Sequence, residues 1–247
     1  CPNSKIPELL CPPNILVYTP TPTTLSEKYG NSISGELQII HVLNAYGLAF
    51  DGTYQRDYQV FSRLLEDECV EKAKQFYRHL FTNIFKVAKH LQMETIVMSL
   101  VGGGFFAERW LKWLHSEYAR ETARNKLLQE IWIPTFQRVM NKNNDIRVLF
   151  MGSGLDTERI FGVEDIGFFP QEVIPYLQGK TSFWQRKRPN ILSTTLLINA
   201  WDCWSSPGNG NRGDNSLDGF IGRNTCVGYL GTGVTNPYLE ENLFPLS

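Results

Sequence analysis

The chain has few of the residues that metal and redox sites are usually built from: four histidines and five cysteines in 247 residues. Cys1, Cys11, Cys69, Cys203 and Cys226 are widely separated and form no Cys-x-x-Cys pair, which argues against a thiolate zinc site. The odd cysteine count and the lack of any Asn-x-Ser/Thr sequon point to a reducing compartment. Charge of one sign is not in excess either. Lys+Arg number 24 against 25 Asp+Glu, a net charge of -1, so a global electrostatic grip on nucleic acid is not expected. The one basic run, Arg186-Lys187-Arg188, is explained at least as well by a solvated loop. No apolar stretch approaches the roughly 20 residues a bilayer span requires, and no repeat that would build a solenoid is visible. The first residue is Cys1 rather than Met, which reads as a fragment whose targeting segment can be missing.

What the chain does have is a composition for one folded domain over residues 1–247, with 42% hydrophobic and 20% charged residues. Residues 1–36 carry Pro2, Pro12, Pro13, Pro20 and Pro22 and read as extended chain around a short strand at 14–19. Apolar, β-branched runs predict strands at 37–43, 95–100, 146–151 and 193–199. Phe61, Leu65, Cys69, Phe76, Leu80, Ile84, Val87 and Leu91 recur at helical spacing. A second helix is expected from Ala107, with Trp110, Leu111, Leu114, Tyr118 and Leu127 on one face, until Pro134 interrupts it. Strands alternating with helices imply an α/β fold, a mixed or mostly parallel sheet between helical layers. Residues 46–58 and a probable insert at 156–189 are dispensable to such a core and are expected to serve partner contacts, with Trp184 as an anchor.

In sheets of this kind ligands sit beyond the carboxyl ends of the strands, and two loops there carry unusual composition. The first, Gly102-Gly103-Gly104-Phe105-Phe106, lies between a strand and a helix. Its glycines let backbone N–H groups approach an anion, and the aromatics can pack on a sugar or base. A tight turn with core phenylalanines explains it equally well. The second runs from Asn199 to Arg223 and holds Asp202, Asp214 and Asp218 among Gly208, Asn209, Gly210 and Asn211. Three carboxylates so close in sequence would raise one another's pKa if gathered, a device for acid/base work; a surface loop of Asx turns is the plainer alternative. Other motifs fail. Gly179-Lys180-Thr181 lacks the first glycine of a P-loop, since residue 174 is Ile, and Gly208-Asn-Gly210 opens no dinucleotide-binding helix. His41, His79, His90 and His115 fall in expected strand or helix and form no triad.

Four stretches together resemble the macrodomain superfamily. Leu196-Leu-Ile-Asn199-Ala-Trp-Asp202 is similar to the strand ending in an Asn-Ala-Ala-Asn turn, and Gly208-Asn-Gly-Asn…Ser216-Leu-Asp218-Gly-Phe-Ile to the glycine loop and helix that follow it. Ile39-Ile-His41-Val resembles the Val-Ile-His-Thr strand, and Thr95-Ile-Val-Met-Ser-Leu-Val-Gly102-Gly-Gly-Phe-Phe106 the diphosphate-cradling strand and loop. Their order is permuted, because the Asn-Ala turn normally precedes the His strand and here follows it by more than 150 residues. Circular permutation is tolerated where termini are close at the surface. The permuted pattern also resembles bacterial effector macrodomains that release ADP-ribose from ubiquitin.

The resemblance implies a three-layer sandwich with a mixed central sheet, an ADP-ribose ligand, and hydrolysis of an N- or O-glycosidic bond between ADP-ribose and a protein side chain, with ubiquitin a candidate carrier. Gly102, Gly103, Gly104 and Phe105 would hold the diphosphate and Phe106 the distal ribose. Asn199 and Asp202 would flank that ribose, closed in by the loop of Gly208, Asn209, Gly210 and Asn211. Asp218 matches the water-activating aspartate, Asp214 is a third catalytic candidate, and Asp165 would accept from the adenine amino group. No cofactor or metal is needed, although three carboxylates can hold Mg²⁺ or Ca²⁺. The implied location is cytosolic, or a host cytosol after bacterial secretion. Asp202 departs from the family's second Asn, and the loop to Asp218 is longer than usual. The alternative from another class is a reader module that binds ADP-ribose without cleaving it.

Overall fold

The computed structural model describes residues 16–23, 38–167, 170–179, 189–200 and 217. Five strands make one sheet: β1 (Val17–Thr23), β2 (Gln38–Ala45), β3 (Thr95–Met98), β4 (Arg147–Phe150) and β5 (Thr195–Ala200), in the order β1-β2-β5-β3-β4. The last four run parallel, and β1 pairs antiparallel with β2. All five expected strands are present, within a few residues of their expected bounds. β3 and β5 are central, and their Thr-Ile-Val-Met and Thr-Leu-Leu-Ile-Asn runs are buried throughout. That follows from a parallel strand needing apolar residues on both faces. Pro20 and Pro22 cannot donate to a ladder, and they fall in the strand at the sheet's edge, where that loss is tolerated.

The helices are α1 (Arg56–Phe61), α2 (Glu66–His90), α3 (Arg120–Leu127), α4 (Ile133–Asn141), α5 (Thr157–Phe161) and α6 (Pro170–Leu177). The helical repeat from Phe61 to Leu91 breaks after α1. Leu65, expected in the apolar stripe, lies in the intervening turn and is exposed. Glu66, Asp67 and Glu68 then open α2, and Lys89 and His90 close it, matching the helix dipole at both ends.

The second helix departs further from expectation. Residues 108–118 form successive turns, so His115 lies in a turn segment rather than a helix, and α3 starts only at Arg120. Pro134 does not stop the helix. A π-helical turn over Leu128–Trp132 precedes α4, which places Pro134 in the first turn of a new segment, where its missing N–H is harmless.

Two compact units divide the chain. Among the described residues, unit 1 takes 16, 46–87 and 100–144, and unit 2 takes 17–23, 38–45, 88–99 and those from 145 onwards. Unit 1 has an aromatic core in which Phe50, Phe61, Tyr77, Phe81, Trp110, Trp132 and Phe136 are fully buried. Some neighbouring rings meet edge-on, as Phe81 and Trp132 do at 5.0 Å between centroids, and others stack, as Trp132 and Phe136 do at 5.1 Å. Tyr46, Leu48 and Phe50 are buried as well, so residues 46–50 build this core instead of offering partner contacts.

The core of unit 2 is aliphatic: Ile40, Val42, Val97, Leu149 and Leu197 from the sheet meet Val173, Ile174 and Leu177 from α6. Val173, Ile174 and Leu177, within the segment expected as an insert, are therefore core material as well. Leu217 joins this cluster. Trp184 and the basic run lie outside the described residues.

Candidate functional site

β2, β5, β3 and β4 point the same way, so the chain leaves all four at one edge of the sheet. At that edge of unit 2, Asn44 and Asn199 stand opposite each other in the β2–β5 register. Both are buried, and the Asn199 Nδ2 donates to Asn44 Oδ1 at 2.9 Å. A buried amide must find partners or lose about 1–3 kcal/mol, and here the Asn44 side-chain oxygen takes an N–H of Asn199. Beside them the Ser99 hydroxyl donates to the Ile198 carbonyl at 2.7 Å. Asn199 was expected in the site, whereas Asn44 was not singled out. The signal for it was present: Leu43-Asn44-Ala45-Tyr46 and Ile198-Asn199-Ala200-Trp201 repeat one pattern of apolar, Asn, Ala and aromatic.

The glycine turn lies in unit 1. Gly102 adopts φ +70° and packs on Gly47. A Cβ on Gly102 would come 2.5 Å from the Tyr77 hydroxyl and 2.7 Å from the Gly47 Cα. A Cβ on Gly103 would meet Leu128 at 2.7 Å. These two glycines are thus demanded by packing. Gly104 differs: nothing lies within 4 Å of where its Cβ would be, and the next residue, Phe105, is 62% exposed.

The carbonyls of the turn are held from inside the unit. Trp132 Nε1 donates to Val101 O at 2.9 Å, Arg124 Nε to Gly103 O at 2.9 Å, and the Tyr77 hydroxyl to Gly102 O at 3.5 Å. A short 3₁₀ turn, Phe105–Ala107, follows, and Phe106 O accepts the Phe50 N–H at 2.7 Å. The carbonyls are engaged inward, and Gly104 and Phe105 are left accessible.

Residues 46–50 form the turn's second support, through a group that sequence reading missed. Asp57, buried at the start of α1, accepts the Ala49 N–H at 2.9 Å. Burial raises its carboxyl from 3.8 to about 6, only partly offset by that hydrogen bond. Burial also drives the Tyr77 hydroxyl well above its usual range. Cys69 in the same unit is a buried free thiol raised to about 11 by burial and by Glu68 and Glu66, a packing residue and not a nucleophile.

Asp165 belongs to unit 2, bridged to Phe150 at the edge of β4. Its carboxylate accepts from the Ser153 hydroxyl at 2.9 Å, the Ser153 N–H at 3.2 Å and the Gly167 N–H at 3.4 Å. It closes the turn after β4, and the residue is exposed. His41 stacks on Tyr18 and hydrogen-bonds its hydroxyl, and burial lowers the imidazole's pKa. Asp202, Gly208, Asn209, Gly210, Asn211, Asp214 and Asp218 lie outside the described residues. Among the described residues no group of three or more His, Cys, Asp or Glu is placed to hold a metal ion, and no helix is long and apolar enough to cross a membrane.

No protein-family model matches the chain, and comparison with curated proteins finds no significant match.

Proposed function

We propose that the chain binds ADP-ribose and hydrolyses the bond between it and a modified protein side chain. The observation that carries this reading is the turn after β3, with Gly104 open, Phe105 exposed and the neighbouring carbonyls engaged inward. A turn built this way can present backbone to a diphosphate. The buried Asn44–Asn199 pair supports the reading separately, because Asn199 ends a parallel strand where the macrodomain resemblance wants an amide. In this reading the sheet is the centre of a permuted macrodomain-like sandwich.

The turn then takes the diphosphate, Asn199 and Asp202 flank the distal ribose, and Asp218 takes a proton from the attacking water. Asp214 is the reserve carboxylate. Cleavage at an anomeric carbon passes through an oxocarbenium-like state, which a nearby carboxylate stabilises. Ubiquitin carrying ADP-ribose is the first substrate to try.

Calorimetric titration of ADP-ribose, with AMP and NAD as controls, tests the binding. Stoichiometric binding selective for ADP-ribose is expected, and a folded chain that ignores it overturns the reading. Turnover of an ADP-ribosylated protein should vanish in Asp218→Ala while ADP-ribose affinity stays within about twofold. A wild-type chain that binds and never turns over is a reader.

A further inference from the structure

We propose that the cleft between α2 and α4 in unit 1 is a docking surface for an acidic segment of a partner protein, held by Arg78 and Arg138. It involves none of the residues of the ADP-ribose reading and does not depend on that reading.

Charge is unevenly spread along these helices. The start of α2 holds Glu66, Asp67, Glu68 and Glu71, and from 72 to 90 it carries Lys72, Lys74, Arg78, Lys86 and Lys89 with no Asp or Glu. Residues 131–144 likewise hold Arg138 and Lys142 and no acid. α2 packs against the π turn and α4 through Phe81, whose ring meets those of Trp132 and Phe136 at 5.0 and 5.1 Å. Between the same elements lies a cleft of about 350 Å³. It is lined by Glu71, Lys74 and Arg78 from α2 and by Glu130, Pro134 and Arg138 from the π turn and α4. A second hollow, of about 410 Å³, also borders Arg78.

The charges in the cleft divide into paired and unpaired. Glu71 is taken by Lys74 at 3.0 Å and Glu130 by Lys126 at 3.6 Å. Arg78 and Arg138 are exposed and, among the described residues, have no carboxylate at ion-pair distance. Folding gives no reason for the charge on Arg78. It sits mid-helix, beyond the reach of the dipole, and Lys74 one turn before it has the same sign, a mildly destabilising placement. Arg138 suits the dipole in the last turn of α4, yet Lys142 follows it at the same unfavourable spacing. Two planar guanidiniums on one cleft can each hold a carboxylate through paired N–H donors. A nucleic-acid backbone wants an unbroken run of cations, and here it would meet Glu71 and Glu130. An acidic polypeptide can instead set its side chains on the two arginines alone. Arginine is enriched in protein interfaces, where exposed charge governs encounter rate and salt dependence.

Fluorescence anisotropy of a labelled oligoglutamate peptide with the full chain tests the docking surface, with oligoglutamine and oligothymidylate of the same length as controls. Oligoglutamate should bind, more weakly as salt rises, and oligoglutamine should not bind. Arg78→Met and Arg138→Met should each weaken oligoglutamate about fivefold, the upper range for an exposed charge pair. Lys86→Met removes one charge from the same helix outside the cleft and should change affinity less than about twofold. Arg78 has no ion-pair partner to lose, so the urea midpoint of Arg78→Met should equal or exceed that of the wild type. A folded wild type that ignores oligoglutamate overturns the docking surface. So does a loss in Lys86→Met equal to that in Arg78→Met, which would leave net charge as the only cause. A clearly lower urea midpoint in Arg78→Met also overturns it, because the arginine would then serve the fold. Oligothymidylate bound more tightly than oligoglutamate, with the same variants affected, replaces the acidic protein partner with a nucleic acid.

Discussion

Two glycine-bearing turns leave neighbouring parallel strands, and they use glycine for different reasons. After β3, Gly102 and Gly103 are glycine because neighbours occupy the space a side chain would need. After β4, Gly152 and Gly154 have φ +60° and +64°, and Gly154 has nothing within 4 Å of its would-be Cβ. The second turn is closed on itself by Asp165 and Ser153. The first is anchored through its carbonyls and leaves Gly104 and Phe105 accessible. Glycine count separates neither case: close packing, backbone conformation and open ligand access look alike in a sequence, and only the surroundings tell them apart.

Gly102→Ala should break the first turn outright. The new methyl would collide with the Tyr77 hydroxyl and the Gly47 backbone, and φ +70° would be strained in addition. Overpacking and left-handed strain together predict a loss of about 3–4 kcal/mol. Gly104→Ala, with open space and φ -92°, should cost under about 1 kcal/mol. Denaturant melts of the two variants measure the contrast. Equal losses would mean that the two glycines are not distinguished by packing.

Asp57 and Asp165 extend the comparison from glycines to the carboxylates that hold each loop. Asp57 is buried and its pKa is raised, so the folded chain binds that proton more tightly than the unfolded chain does. The sign follows from linkage: no penalty below about pH 4, a growing one between 4 and 6, and the full penalty above 6. Asp57→Asn keeps an acceptor for the Ala49 N–H and removes the charge. Its own N–H₂ needs a partner, so a gain of about 1–2 kcal/mol at pH 7 is expected rather than the full linkage value. The same variant should gain nothing at pH 4. Urea titrations at the two pH values decide it, and a gain at pH 4 as large as at pH 7 would remove the buried charge as the cause.

The strands were legible because apolar β-branched runs have few other uses, and β3 and β5 show the pattern without interruption. The segment after the glycine turn was misread because Trp110, Leu111, Leu114 and Tyr118 happen to fall at helical spacing. The chain instead turns repeatedly, with Leu111 at φ +58° and Leu114 44% exposed. Pro134 misled because a π turn, which sequence does not announce, resets the hydrogen-bond ladder ahead of it. Within the candidate site Asn199 was readable from its strand end, and Asn44 was missed although it sits in the same short pattern. Asp57 gave no signal, since its importance comes from residues 46–50 folding back over it, a tertiary event.

The smallest effects isolate the backbone term that distinguishes the turn after β4. Gly154→Ala adds a methyl to open space, so its loss should come almost wholly from φ +64°, about 1 kcal/mol. Gln92 provides the same quantity with the opposite sign. It sits at φ +57° just past α2, where the Met93 N–H donates to Ala88 O at 2.9 Å, the six-residue closure that usually employs glycine. Gln92→Gly relieves the strain and loosens the unfolded chain, and the two together predict a net gain of about 0.5 kcal/mol. If Gly154→Ala costs about 1 kcal/mol and Gln92→Gly returns about half of that, left-handed backbone alone explains Gly154. A cost of 3 kcal/mol or more at Gly154 would mean a neighbour fills the space beside it, and the two turns would then be built on the same principle.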